Sequence, residues 1–194
     1  MKNLVIIDYD TGNVQSLKYA LNRLGVEPVL SRDPDQIREA DKVILPGVGA
    51  ARPAMEALKK YDLDILVKEL KQPVLGVCLG MQLMCTYSEE GDTACLGIFD
   101  LPVIRFEEEL KVPHMGWNAI EGLNNPLFKE LKEASFTYFV HSYYIPKCAE
   151  TIALTHYMLP FSAAISKNNF YACQFHPEKS GEVGSKILKN FMEL

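Results

Sequence analysis

The sequence predicts an α/β sandwich of three layers, with a largely parallel central sheet to which antiparallel strands are added. Two patterns predict it. Residues 1–80 alternate short apolar runs with amphipathic stretches, and the region beyond residue 100 is richer in strand-like runs than in helical ones. The composition allows it: 194 residues, 48% hydrophobic and 23% charged, suffice for one well-buried core, read as a single domain over residues 1–194.

Leu4–Ile7 is an apolar run that stops at Asp8, the pattern of a buried parallel strand. Asn13 can cap a helix that carries Val14, Leu17, Leu21 and Leu24 on one face and closes at Gly25. Pro28–Leu30 reads as a short strand. Asp33-Pro34 opens a brief helix, with Asp at the cap and Pro at the first position. Val43–Leu45 is the next strand and runs into Pro46-Gly47-Val48-Gly49. Ala54–Leu70 reads as mostly helical, and Pro73–Val77 as a central strand that leads directly into Cys78. This order implies right-handed crossovers and a sheet covered on both faces. In the second half, Val103–Phe106, Trp117–Ile120, Phe136–His141, Thr151–Leu154, Ala163–Ile165 and Tyr171–Phe175 read as strands. Gly181–Met192 reads as a closing helix with Val183, Ile187, Leu188 and Phe191 on one stripe.

Lys+Arg number 20 against Asp+Glu 25, a net charge of −5, which argues against a protein that binds nucleic acid through clustered basic residues. The Leu4–Ile7 run is too short for a secretory segment, and the most apolar stretch, Pro73–Cys85, is too short to span a bilayer. The five cysteines are odd in number and irregularly spaced, with no C-x-x-C pair. A disulfide framework or a zinc knuckle is not expected, and a reducing cytoplasm suits five free thiols.

Three segments carry chemistry. Gly76-Val77-Cys78-Leu79-Gly80-Met81-Gln82 has the form of a strand, a tight turn and a helix, with a nucleophile-type residue at the apex and glycines two before and two after it. Such a turn exposes the thiol at a helix N-terminus, where the dipole favours thiolate. The alternative is a buried, inert cysteine. Phe175-His176-Pro177-Glu178 follows a strand. His176 and Glu178 lie two apart, so an extended segment would point both the same way, base and orienter for a nucleophile. Pro177 favours that extended form at His176. Pro46-Gly47-Val48-Gly49 ends a strand at the edge where parallel sheets bind ligands, and its glycines let the Val48 and Gly49 amides turn toward an oxyanion. No G-K-[ST] follows, so it is not a P-loop. His114 and His156 are read as ordinary satisfied polar groups.

These segments, with Pro113-His114-Met115-Gly116-Trp117-Asn118, Tyr138-Phe139-Val140-His141-Ser142-Tyr143 and Gln174–Ser180, resemble the class I (triad) glutamine amidotransferases from Asp8 to Phe191. The resemblance implies that family's flavodoxin-like sandwich and hydrolysis of glutamine to glutamate and ammonia. It implies Cys78 as nucleophile, His176 as base and acid, and Glu178 as orienter. Leu79, Val48 and Gly49 would line the oxyanion hole, and Gly49, Gln82, Ser142 and Tyr143 would bind the substrate. It implies no metal or organic cofactor, and no nucleic-acid or membrane partner. It also implies a heterodimer with a (β/α)8-barrel cyclase that takes up the ammonia, with Tyr138 and Lys179 at the interface. Two departures stand out: Asp10 in Asp8-Tyr9-Asp10-Thr11-Gly12-Asn13, where the family usually has glycine, and Ala50-Ala51, where it usually has a Phe. Two other readings compete. One is a related hydrolase, either the glutaminase of another pathway or a cysteine peptidase. The other is a non-catalytic flavodoxin-like module using Thr11-Gly12-Asn13 as a phosphate cradle.

Overall fold

A computed structural model describes residues 3–10, 14–107 and 111–194. Cap residue Asn13 and the Thr11-Gly12-Asn13 turn lie outside the described residues. The chain runs β1 (Leu4–Ile7), α1 (Val14–Arg23), β2 (Val29–Ser31), α2 (Pro34–Glu39), β3 (Lys42–Leu45), α3 (Ala51–Lys60), α4 (Leu63–Glu69), β4 (Val74–Val77) and α5 (Leu79–Leu83). There follow β5 (Tyr87–Ser88), β6 (Thr93–Ala94), β7 (Pro102–Arg105), β8 (His114–Ile120), β9 (Ser135–His141), β10 (Tyr143–Tyr144), β11 (Thr151–Tyr157), β12 (Leu159–Lys167), β13 (Phe170–Cys173) and α6 (Gly181–Glu193). The strands and helices expected from the sequence are all present. The expected single helix at Ala54–Leu70 is two, divided where Asp62 takes a left-handed φ of 55°.

The central sheet has the order β11-β12-β13-β4-β3-β1-β2. From β2 to β13 every neighbour is parallel, and β12 and β11 add to the β13 edge antiparallel. Buried parallel strands need apolar side chains on both faces, and the parity of β1 shows why. Val5 and Ile7 pack with α2, α3 and α4 through Ile37, Leu58 and Leu66, while Leu4 and Ile6 pack on the other face with Leu21 of α1 and Leu188 of α6. Asp33 caps α2 as expected, accepting from the N–H groups of Asp35 and Gln36.

Four strands of the second half, β7 to β10, do not join this sheet. β7 pairs with β5 and β10, and β8 pairs with β9 in a separate hairpin. The β8–β9 register sorts that hairpin by parity. Met115, Trp117 and Phe136 face outward and are 63%, 53% and 57% exposed. His114, Phe139 and His141 face inward against Phe106, Tyr157 and Phe161. Among the described residues, no helix is long and apolar enough to cross a membrane.

Candidate active site

The site lies at the carboxyl ends of β3, β4 and β13, around the turn from β4 into α5. Cys78 holds the apex of that turn with φ 53° and ψ −110°, a strained conformation for a residue with a side chain. Its N–H donates to the Cys173 carbonyl at 2.8 Å, so the β13 neighbour pins the apex. The turn is drawn tight against the end of β3. A Cβ on Gly80 would lie 2.0 Å from the Leu45 carbonyl oxygen, and only glycine permits that approach. The sequence expectation of an elbow at Cys78 matches this geometry.

His176 follows β13 in an extended conformation, as Pro177 dictates. The segment after it departs from the extended form expected: Pro177–Lys179 is a 3-10 turn. Proline at the first position of a helical turn is pre-organised for it, and the Ser180 hydroxyl donates to the His176 carbonyl at 2.6 Å to close it. His176 and Glu178 nevertheless meet, with Nδ1 2.8 Å from Oε1 and both side chains buried. Because the carboxylate takes Nδ1, the other nitrogen, Nε2, is left toward the cleft. It has no hydrogen-bond partner among the described residues. Burial pulls the His176 pKa down, but Cys78 and Glu178 beside it outweigh burial and hold it up to about 10. Both neighbours thus favour the protonated imidazole.

Cys78 and His176 open into a cavity of about 310 Å³, large enough for an amino acid. Of the residues expected to bind substrate or oxyanion, Val48, Gly49, Leu79, Gln82, Ser142 and Tyr143 all line it. The Gln82 amide nitrogen is committed elsewhere, donating to the Tyr143 carbonyl at 3.0 Å and to Gln174 Oε1 at 2.9 Å. Its two donors are thus used, and its oxygen is what remains for a ligand. Gln174 in turn places Nε2 3.7 Å from Cys78 Sγ. Leu79 begins α5, so its N–H has no earlier carbonyl in the helix. Among the described residues no hydrogen bond fixes the Val48–Gly49 peptide, and Gly49 has a φ of 98°. Tyr138 and Lys179 sit outside the cavity, with the Lys179 ammonium 6.0 Å from the Tyr138 ring and Trp117 beside that ring.

Sequence reasoning missed Glu90. This carboxylate lines the same cavity as Cys78 and His176, accepts the Ala51 N–H at 2.8 Å, and has its pKa raised by burial against that hydrogen bond. No motif marks it, because its neighbour Glu89 has the same chemistry and instead accepts the Arg105 N–H. The Asp10 departure is absorbed locally. Asp10 takes a left-handed φ of 63° and is tied to Arg32 at 2.7 Å and to Tyr61. His114 and His156 stand as expected in part. His156 is exposed, while His114 is buried with both ring nitrogens within reach of partners. Among the described residues no group of His, Cys, Asp and Glu has the arrangement of a metal site.

The family model described as glutamine amidotransferase class-I matches residues 5–194. The chain is 57% identical over 194 residues to the imidazole glycerol phosphate synthase subunit HisH of Bacteroides fragilis, covering 98% of this chain and 99% of that one. It is 48% identical to the protein of the same name from Escherichia coli K12, covering 99% and 100%. Among solved structures, a putative GMP synthase protein from Thermoplasma acidophilum superimposes with a TM-score of 0.76 at 19% identity, over 100% of this chain and 94% of that one. PurLQS from Thermotoga maritima does so with a TM-score of 0.75 at 16% identity, over 100% and 99%. Likeness at such low identity speaks for the fold alone.

Proposed function

We propose, from the premise that this chain belongs to the class I glutamine amidotransferases, that its Cys78 cleft takes the side-chain amide of glutamine and releases ammonia. The chain is a glutaminase subunit of imidazole glycerol phosphate synthase in histidine biosynthesis. The observation that carries the site assignment is geometric: His176 is held by Glu178 at 2.8 Å, both side chains buried, and lines one cavity with the Cys78 elbow.

In the proposed reaction Cys78, its proton passed to His176, attacks the amide carbon through sulfur. The oxyanion is met by the Leu79 N–H and by an amide of the Val48–Gly49 peptide, once that peptide turns inward. His176 gives its proton to the leaving nitrogen, the C–N bond breaks, and a thioester to Cys78 remains. Neutral His176 then takes a proton from water, hydroxide attacks the thioester, the C–S bond breaks to return the Cys78 thiolate beside protonated His176, and glutamate leaves. Glu178 keeps the ring oriented throughout. The Glu90 carboxylate suits the substrate's α-ammonium group, and the Gln82 oxygen and the Ser142–Tyr143 wall complete the amino-acid end.

The partner is a (β/α)8-barrel cyclase that uses the ammonia to make imidazole glycerol phosphate and AICAR. We place it against the outer face of the β8–β9 hairpin, where Met115, Trp117 and Phe136 form an exposed apolar stripe flanked by Tyr138 and Lys179. Such a stripe, beside the mouth of the catalytic cleft, is the expected character of an interface. The working compartment is the cytoplasm, where all five cysteines stay as the free thiols seen. Replacing Cys78 by alanine tests the whole assignment. With the cyclase present, synthesis from glutamine is lost and synthesis from added ammonia is kept. Loss of both, in a variant that still binds the cyclase, would refute the division of labour.

A further inference from the structure

We infer that His114 and His141 are positioning residues whose hydrogen-bond relay holds the Tyr143 side of the glutamine pocket, an inference that rests on the glutaminase reading above. The two rings stand directly opposite each other on the inner face of the β8–β9 hairpin, 4% and 6% exposed. His114 Nδ1 lies 3.0 Å from His141 Nε2, and His141 Nδ1 lies 2.8 Å from the Tyr143 carbonyl oxygen. A carbonyl can only accept, so His141 Nδ1 carries the hydrogen and its Nε2 is a lone pair. His114 Nδ1 must then donate to that lone pair, which leaves His114 Nε2 to accept from Asn118 Nδ2 at 3.4 Å. Each ring has one tautomer that satisfies every partner.

The relay ends at the substrate pocket. The Tyr143 carbonyl receives His141 on one side and the Gln82 amide on the other, and Gln82 is joined through Gln174 to Cys78 Sγ. The wall of the cavity and the nucleophile thus share one set of hydrogen bonds. The surroundings hold both rings neutral, as the relay requires. Burial pushes the His114 pKa down to about 4. Burial also takes His141 down to about 3 against its bond to Tyr143, helped by the nearby His114 and His176. Phe139 and Tyr157 stack on the two sides of His114 at 5.0 and 4.1 Å and fix its plane. If His114 stopped donating, His141 could carry its hydrogen on Nε2 instead. The Tyr143 carbonyl would then face a lone pair and lose one of its two donors, keeping only the Gln82 amide.

The test uses the complex with its cyclase, with Asn and Phe placed at position 114. Asparagine keeps a donor close to the place of Nδ1, whereas phenylalanine fills the space and donates nothing. His114→Phe is expected to raise KM for glutamine by about tenfold or more, the effect of one lost buried hydrogen bond, with kcat within about threefold. Ammonia-driven synthesis stays unchanged, and His114→Asn returns KM to within about threefold of the parent. In the unsubstituted protein, nitrogen NMR is expected to show His141 protonated at Nδ1 and not at Nε2. A parental KM in His114→Phe, an equal loss in His114→Asn, or His141 protonated at Nε2 would each overturn the inference. Failure of the unsubstituted complex to use glutamine would instead overturn the glutaminase reading, and the tautomer measurement would still decide the relay.

Discussion

Replacing Gly80 by alanine tests whether the elbow is tuned by the close approach of β3. The new Cβ would sit 2.0 Å from the Leu45 carbonyl oxygen, where ordinary contact begins at 3.4 Å, so the turn and the strand end must part by about 1.4 Å. The atoms in the way are backbone on both sides, and no rotamer change can relieve the clash. Cys78 and the Leu79 amide ride on that turn, while the Val48–Gly49 peptide follows β3, so the proposed nucleophile and the two proposed oxyanion donors lose register together. A displacement of about 1 Å in a catalytic arrangement costs on the order of 10²-fold, or about 2.7 kcal/mol of transition-state stabilisation. Overpacking costs roughly 1–3 kcal/mol of stability, a Tm lower by roughly 5 °C. The assay is kcat/KM for glutamine in the complex, with ammonia-driven synthesis and Tm measured on the same preparations. A Gly80→Ala protein with kcat/KM within about threefold of the parent and the same Tm would refute the reasoning.

Glu178→Gln removes the carboxylate that helps hold His176 up to about 10, so an NMR titration should show a lower His176 pKa and kcat for glutamine should fall by about 10²–10⁴; an unmoved titration would count against the assigned role. Glu90→Gln takes away the negative charge facing the substrate's amino end while keeping an acceptor for Ala51, so KM for glutamine should rise by roughly 10–100-fold with kcat little changed, and an unchanged KM would exclude Glu90 from substrate binding. Stability should fall as pH drops below about 6.5, because the unfolded chain then binds protons that the buried His114 and His141, with pKa values of about 4 and about 3, refuse in the folded state. Each ring contributes up to about 1.4 kcal/mol per pH unit until pH nears 4, and His176, charged in both states there, does not offset the loss. Urea unfolding at pH 6.5 and pH 5, a window in which His176 is charged in both states, reads this directly, and equal stabilities would contradict it.

Much of the scaffold was legible because burial leaves a local trace. Leu4–Ile7 and Val74–Val77 had to be apolar at every position, since parallel strands are covered on both faces. Asp33-Pro34 announced a helix start by its own hydrogen-bonding chemistry. The elbow was legible because strained backbone demands glycine nearby, and His176-Pro177-Glu178 because proline limits its neighbour. These are constraints between residues a few positions apart, and a sequence records them. The extended form expected through Glu178 failed for a local reason of another kind, since the turn is closed by Ser180.

The sequence alone therefore determined the sheet-and-helix order, the turn at Cys78 and the three residues, Cys78, His176 and Glu178, proposed as the triad. The tertiary structure decided which strands leave the central sheet for the β8–β9 hairpin, and that Glu90 faces the cavity while Glu89 does not. It also decided that His114, an ordinary buried polar group by its local context, meets His141 across two strands, and that His141 reaches the Tyr143 carbonyl. The physical reason is common to all three. Alternation along a strand reports that a side chain is inside, whereas what it meets there is set by register and packing between segments far apart in the chain, which no local pattern encodes.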